Sequence, residues 1–235
     1  MKGLSHLDKY MRQEEQQPPT TLPYYLAERI QHEIITGEFE PGRSLREQEL
    51  GTQFGSSRGP IREGLRLLEL RGLVEHTPRR GFRVRTYTEA DIESLYRLRS
   101  LLEGAVIDAL ARLDVSALVA DLDRINRQMY AASSAGDLES YFEHNIEFHQ
   151  RMIDFAQDLP LARVLSIVND MSMPLRYLLH RDRFPESNDF DYHSNIVWLL
   201  AQGRFEQAKR ETAQHIGGNM PQIIERYYQL TGARR

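Results

Sequence analysis

The sequence predicts a mainly α-helical protein in two parts: three short helices with a two-stranded β-hairpin, then an all-α bundle. Three observations predict this. Between Pro23 and Gly72, apolar residues recur at helical spacing in short blocks closed by Gly37, Gly55 and Gly72. Between Leu73 and Arg85, two short runs flank TPRRG, the pattern of a hairpin with a turn at its tip. From Thr88 onward helical periodicity continues almost throughout, with no convincing strand.

Each element has a local reason. Residues 1–20 are polar and include QEEQQPP, which predicts a mobile tail. Residues 21–86 form the first folded unit and residues 87–235 the bundle. The first helix carries Leu22, Leu26, Ile30 and Ile34 at four-residue steps, with Tyr25 on the same face, and ends at Gly37. FEPG at 39–42 reads as a turn. A short helix spans about Arg46–Phe54 and stops at Gly55. Ser57 is placed to cap the next helix, where Pro60 is tolerated and Ile61, Leu65 and Leu68 form the buried stripe. Strands are expected at Leu73–Glu75 and Phe82–Arg85. In the bundle, helices are expected near 89–111, 116–134, 137–157, 160–182, 187–202 and 204–231, with a kink at Pro174.

Composition removes several classes. With no cysteine among 235 residues, a disulfide scaffold, an iron–sulfur cluster and a thiolate site are excluded. The longest stretch free of Asp, Glu, Lys and Arg is Thr212–Ile224, too short for a membrane span of about 20 residues. The N-terminal residues lack the apolar core of a signal peptide, so a cytoplasmic location with no membrane partner is expected. The net charge of −4 is unevenly spread. Residues 41–85 carry 10 Arg against 5 acidic side chains, while residues 86–235 carry 16 basic and 22 acidic. One basic block in an acidic chain suits a local polyanion contact, and Arg suits bidentate phosphate and guanine contacts. The alternative for its Arg content is codon bias, since the chain has only three Lys.

Two short helices joined by a tight turn and followed by a basic hairpin have the layout of a winged helix-turn-helix. Arg58 and Arg62 lie one turn apart, opposite the stripe of Ile61, Leu65 and Leu68, at the end of the helix that enters the major groove. Ser57 and the neighbouring amides can hold a phosphate. Arg46 and Gln48 open the preceding helix and face the same ligand. Arg79 and Arg80 sit at the hairpin tip, where Gly81 permits close approach. The alternative is that Arg58 and Arg62 are solvated residues paired with Glu63 or Glu69.

Residues 41–74, PGRSLREQELGTQFGSSRGPIREGLRLLELRGLV, resemble the winged helix-turn-helix of GntR-type bacterial transcription regulators, over about residues 22–86. Gly51 and Gly64 replace the family's usual alanines, and Gly59 replaces its threonine. Gly64 should cost about 1 kcal/mol relative to Ala inside a helix. The resemblance implies a regulator that binds double-stranded operator DNA.

Eight histidines are present. His144 and His180 have no persuasive partners in the pattern. His149, His193 and His215 each extend an apolar stripe on a different bundle helix, and Asn145 adds an oxygen four residues before His149. Neutral imidazoles on facing helices are good ligands for a divalent metal ion, and the alternative is that they are satisfied core residues. Residues 90–220 resemble the FCD ligand-binding domain of the FadR branch of GntR regulators, through LYRLRSLLEGAVIDAL at 95–110, FH at 148–149 and His193 followed 22 positions later by His215. Many members hold a metal with an Asp four residues before the FH histidine and three histidines. The resemblance therefore implies a site of Asn145, His149, His193 and His215 for Zn²⁺ or Ni²⁺, weakened because Asn145 brings no charge.

Arg99 lies on the stripe of Leu95, Leu102 and Val106 and needs a partner. Glu103 four residues on would make it a structural ion pair. The functional reading makes Arg99, which matches an arginine of the family's pattern, an effector anchor, and Arg176, near the Pro174 kink, is a weaker candidate. The reading is a repressor that binds a pseudo-palindromic operator as a homodimer and answers to a small organic acid. One alternative is a hydrolase using three histidines, with Glu143 or Glu147 as base. The other is a metal-free regulator of the same fold.

Overall fold

The computed structural model describes residues 21–180 and 187–232, so the expected tail at 1–20 lies outside the described residues. The chain divides into two compact units. The first contains the chain up to Thr88, with residues 170–178 and the segment from Tyr227 onward. The second contains Glu89–Asn169 and Leu179–Arg226.

In the first unit, α1 (Leu22–Thr36) starts with proline at its second position and stops at Gly37, whose φ of 84° a residue without Cβ takes freely. Its buried arc runs through Leu26, Ala27, Ile30, Gln31 and Ile34. At about 100° per residue, Leu22 and Tyr25 fall beyond that arc, and both are half exposed rather than buried as expected. After a turn and β1 (Ser44–Leu45), α2 (Glu47–Phe54) ends at Gly55 in the left-handed conformation. Next, α3 (Arg58–Leu70) buries Ile61, Gly64, Leu65 and Leu68. Ser57 stands at its N-cap, but its side chain makes no capping hydrogen bond.

The hairpin is β2 (Val74–Thr77) and β3 (Gly81–Val84), in register from Val74 opposite Val84 to Thr77 opposite Gly81. The sheet has three strands, not two, because β1 pairs antiparallel with the free edge of β3. A two-residue strand shows no alternation in sequence, and only its Leu45 is buried. Leu26, Ile30, Ile61, Leu65, Leu68 and Val74 are fully enclosed in this unit's core. Each contributes about 1.5–3 kcal/mol by burial.

Beyond Thr88 every described element is helical: α4 (Glu89–Leu110), α5 (Ser116–Ala135), α6 (Leu138–Ala156), α7 (Leu159–His180), α8 (Ser187–Ala201), α9 (Phe205–Gly218) and α10 (Met220–Thr231). Aspartate side chains brace two starts, from the N-cap at Asp137 and from one residue before the N-cap at Asp114. Asp114 accepts from the Ser116 amide at 3.0 Å, and Asp137 accepts from the Ser140 amide at 3.0 Å. Pro174 lies inside α7. The expected helix over 204–231 is two helices, parted at Asn219. Gly217 and Gly218 weaken the end of α9, and Pro221 lacks the amide that would continue it. The second unit's core includes Ile107, Leu110, Leu118, Leu122, Ile125, Tyr141, Phe148 and Ile196. Among the described residues, no helix is long and apolar enough to cross a membrane.

Two glycines expected to be departures from the family pattern have steric reasons. A Cβ on Gly64 would stand 3.0 Å from the Pro23 carbonyl oxygen, so its absence lets α1 and α3 approach closely. A Cβ on Gly51 would stand 2.7 Å from the Ser56 carbonyl, where the α2–α3 turn closes back through Ser56 N–H to Gly51 O at 2.9 Å. Gly59 has open space. Gly51→Ala should therefore destabilise by about 1–3 kcal/mol. Gly59→Ala, at an unobstructed helical position, should stabilise by about 0.5–1 kcal/mol. Urea unfolding of the two variants checks both signs. Equal effects would refute the steric account of Gly51.

Candidate functional site

The head of α3 and the tip of the hairpin present the expected polar set to solvent. Arg46, Gln48, Ser57, Arg58, Arg62, Arg79, Arg80 and Gly81 are all exposed. The amphipathic α3 separates them from its buried stripe, so the same helix builds the core and offers arginine. The hairpin turns at Thr77–Arg80, closed by Arg80 N–H to Thr77 O at 3.0 Å. Pro78 sits second in this turn and Arg79 third, with φ of 67°. A left-handed conformation costs a side-chain-bearing residue about 1–2 kcal/mol, so the tip holds a strained arginine where glycine would be relaxed.

The arginines do not pair with Glu63, and Glu69 takes Arg66 instead at 2.6 Å. Arg62 donates Nε and Nη2 to the two oxygens of Glu47 at 2.7 and 2.8 Å. Arg58 donates Nη2 to Gln48 Oε1 at 3.0 Å, and Arg46 pairs with Glu49 at 3.0 Å. Hydrogen bonding from Arg62 holds the Glu47 carboxyl below its ordinary value of 4.5. The pair therefore stands at neutral pH and is lost only as pH falls through that lowered value. Glu47 was missed from sequence because it lies 15 residues from Arg62 on another helix.

In the second unit, three helices bring His149, His193 and His215 together. One ligand nitrogen from each lies within 4.8 Å of the others, and all three residues are buried. His149 and His215 stack nearly parallel at 5.5 Å, and His193 stands edge-on to His215 at 4.5 Å. Asn145 is buried beside them, with Nδ2 3.3 Å from His193 Nε2. Rotating that amide by half a turn puts Oδ1 in the same place.

A further member comes from α4. Glu103 Oε2 lies 2.7 Å from His149 Nδ1, and Glu103 Oε1 lies 2.8 Å from Arg99 Nε. Arg99 and Glu103 are 4% and 3% exposed, so this is a buried chain from guanidinium to carboxylate to imidazole. It fixes the ring of His149 with Nε2 directed away from the carboxylate, the way a carboxylate orients a metal-binding histidine. Glu103 was visible in sequence only as the neighbour of Arg99. Its second oxygen is spent on a residue 46 positions away.

The remaining expectations divide. The ion pair of Arg99 with Glu103 is present, and it engages Nε alone among the described residues. Arg176 is buried on α7, in the stretch belonging to the first unit, whereas the imidazoles belong to the second. Glu143 is buried, while Glu147 pairs with His144 at 3.1 Å and Arg124 at 3.7 Å. His144 thus has the partner that the pattern did not suggest. The side chain of His180 lies outside the described residues.

The "FCD domain" family model matches residues 94–218, and that of "Bacterial regulatory proteins, gntR family" matches residues 25–84. The chain belongs to the GntR family of transcriptional regulators and carries an FCD domain. Members bind operator DNA, typically as dimers. The chain is 29% identical over 199 residues to the HTH-type transcriptional regulator YdhC of Bacillus subtilis, covering 82% of this chain and 88% of that one. It is 27% identical over 202 residues to a probable D-xylose utilization operon transcriptional repressor of Paenarthrobacter nicotinovorans, covering 86% and 88%. Its fold matches Escherichia coli McbR/YncC with a TM-score of 0.75 at 19% identity, over 88% of this chain and 99% of that one.

The buried chain has a direct energetic consequence. Glu103→Ala strands Arg99 without a counter-charge and should destabilise the protein by about 3–5 kcal/mol. Arg46→Ala, which breaks an exposed pair, should cost at most about 1 kcal/mol. Thermal and urea unfolding compare them, and a Glu103→Ala cost as small as that of Arg46→Ala would show that the chain is not formed.

Proposed function

We propose that the protein is a metal-containing, acid-responsive repressor that grips a pseudo-palindromic operator as a homodimer. The observation that carries the DNA part is the pair of exposed arginines at the head of α3, flanking a fully buried stripe. A recognition helix enters the major groove by that end, where a bidentate arginine discriminates guanine by about 1–3 kcal/mol. Arg79, Arg80 and the strained hairpin tip add backbone contacts, with Ser57 and the first amides of α3 on a phosphate. Repression is the mode named for the D-xylose operon relative. One such unit offers few contacts, so two joined in a symmetric dimer suit a two-fold site.

His149, His193 and His215 would hold one divalent ion, Zn²⁺ or Ni²⁺, with Asn145 turning its amide to offer Oδ1. The donor chemistry fits: three buried imidazoles close enough to share an ion, one of them oriented by Glu103. An ion held there would supply positive charge for an acidic effector. Glu103 orients His149 and balances Arg99, leaving Nη1 and Nη2 of Arg99 to take a second acidic group of the effector. The hydrolase reading has no comparable support, because the chain's family is one of regulators and Glu147 is already paired twice.

Three outcomes are expected. Arg58→Ala and Arg62→Ala should each cost about 1–3 kcal/mol on an operator selected from randomised duplexes, measured by fluorescence anisotropy. If both bind as the parent does, the DNA assignment is wrong. Asn145→Asp should tighten Zn²⁺ binding by adding a charge to the ligand set, and Glu103→Gln should weaken it about 10–100-fold, by competition against a chelator. Failure of the parent to bind Zn²⁺, Ni²⁺ or Mn²⁺ would leave the metal-free reading. A mono- or dicarboxylate found by thermal shift should change operator affinity by roughly 5–150-fold. Arg99→Lys should keep the metal and lose that response, and an unaltered response would reduce Arg99 to a structural pair.

A further inference from the structure

The contact between Arg62 and Glu47 is asymmetric. The Arg62 side chain is 62% exposed and that of Glu47 is 22% exposed, so the carboxylate is the fixed partner and the guanidinium the outward one. Glu47 is the first residue of α2 and Arg62 lies in the second turn of α3. The bond therefore spans the two helices of the helix-turn-helix. Arg62 spends its side edge, Nε and one N–H of Nη2, on both carboxylate oxygens. A guanidinium is planar, with its donors in a rigid fork. Fixing the side edge also fixes the plane and direction of the end edge, formed by Nη1 and the second N–H of Nη2. Among the described residues that end edge has no partner. Its two parallel N–H groups match the O6 and N7 acceptors of guanine. Arg58 is held differently, by one bond to the neutral amide of Gln48.

We propose that Glu47 is a specificity-determining positioning residue: it clamps the side edge of Arg62 so that the end edge is set in advance to read one guanine in the major groove. The inference rests on the DNA reading above and adds a residue that touches no base itself. Arginine loses freedom when it binds a base, and the clamp removes part of that loss before DNA arrives. On DNA the negative charge of Glu47 would stand near phosphates, which would disfavour binding that does not engage Arg62 on a base. Glu47 therefore strengthens discrimination while weakening indiscriminate binding. An incidental surface ion pair would do neither selectively, since breaking it would release Arg62 and strengthen all binding alike.

The test uses the full chain, a duplex operator selected from a randomised pool, single-base-pair variants of that duplex, and a random-sequence duplex. Arg62→Ala first identifies the base pair whose discrimination depends on Arg62. Glu47→Gln keeps the size of the side chain and removes its charge. It should lower discrimination at that base pair by about two- to tenfold, tighten the random duplex, and leave preferences at other base pairs unchanged. In the Arg62→Ala background, Glu47→Gln should cause no further loss at that base pair. Discrimination is a ratio of two affinities of one protein sample, so partial unfolding cancels. Arg62→Lys, which keeps the charge without the fork, should lose the same preference. If Glu47→Gln tightens every duplex equally and keeps the preference that Arg62→Ala destroys, Glu47 is only a competitor and the inference is overturned. If Arg62→Ala alters no preference, the DNA reading of α3 fails and takes this inference with it.

Discussion

A carboxylate enclosed in the second unit constrains what surrounds it. Glu103 is 3% exposed, and a charge so far from water is tolerated only when its oxygens are matched. One oxygen meets Arg99 on the same helix and the other meets His149 on α6. The first contact settles the charge and the second turns an imidazole. Because Glu103 Oε2 meets Nδ1, Nε2 of His149 is directed away from the carboxylate. The positions of His193 and His215, from two more helices, then complete a set that no single helix could assemble. Apolar packing brings the helices together, with Phe148 edge-on to His193 at 4.7 Å fixing one wall. The buried charge chain decides which atoms face inward.

The first unit meets a different constraint, close backbone approach. Gly64 lets α1 and α3 touch through backbone, and Gly51 lets the α2–α3 turn fold back on itself. The tight turn at Gly51 sets the head of α3 close to α2. Glu47 and Gln48 can then reach Arg62 and Arg58. The apolar stripe holds α3 in place, and the acidic and amide residues of α2 hold its arginines. Local backbone geometry and the orientation of the polar surface are thus set by the same few residues.

Much of this was legible in the sequence because periodicity and glycine report local structure directly. Gly37, Gly55 and Gly136 close helices where the pattern stops, and the three imidazoles fall on stripes of 3.6-residue period. What was hidden depends on partners distant along the chain. β1 is too short to alternate, and it exists because β3 has a free edge to pair with. The break at Asn219 separates two amphipathic helices whose apolar patterns run on without interruption, so only glycine and proline mark it. Leu22 and Tyr25 share a helical pattern with Ile30 but lie outside the arc that α1 buries. Glu47 and Glu103 have unremarkable neighbours in sequence. Their importance comes from Arg62 and His149, 15 and 46 residues away.

Binding of one ion by three imidazoles, the first of them aimed by Glu103, is tested most directly at the metal itself. X-ray absorption at the zinc edge, on protein loaded with one equivalent of Zn²⁺, addresses it without reference to DNA or effector. Three nitrogens at about 2.0–2.1 Å with an added oxygen, and outer-shell scattering of three imidazole rings, are expected. A shell of oxygens with one ring or none would contradict it.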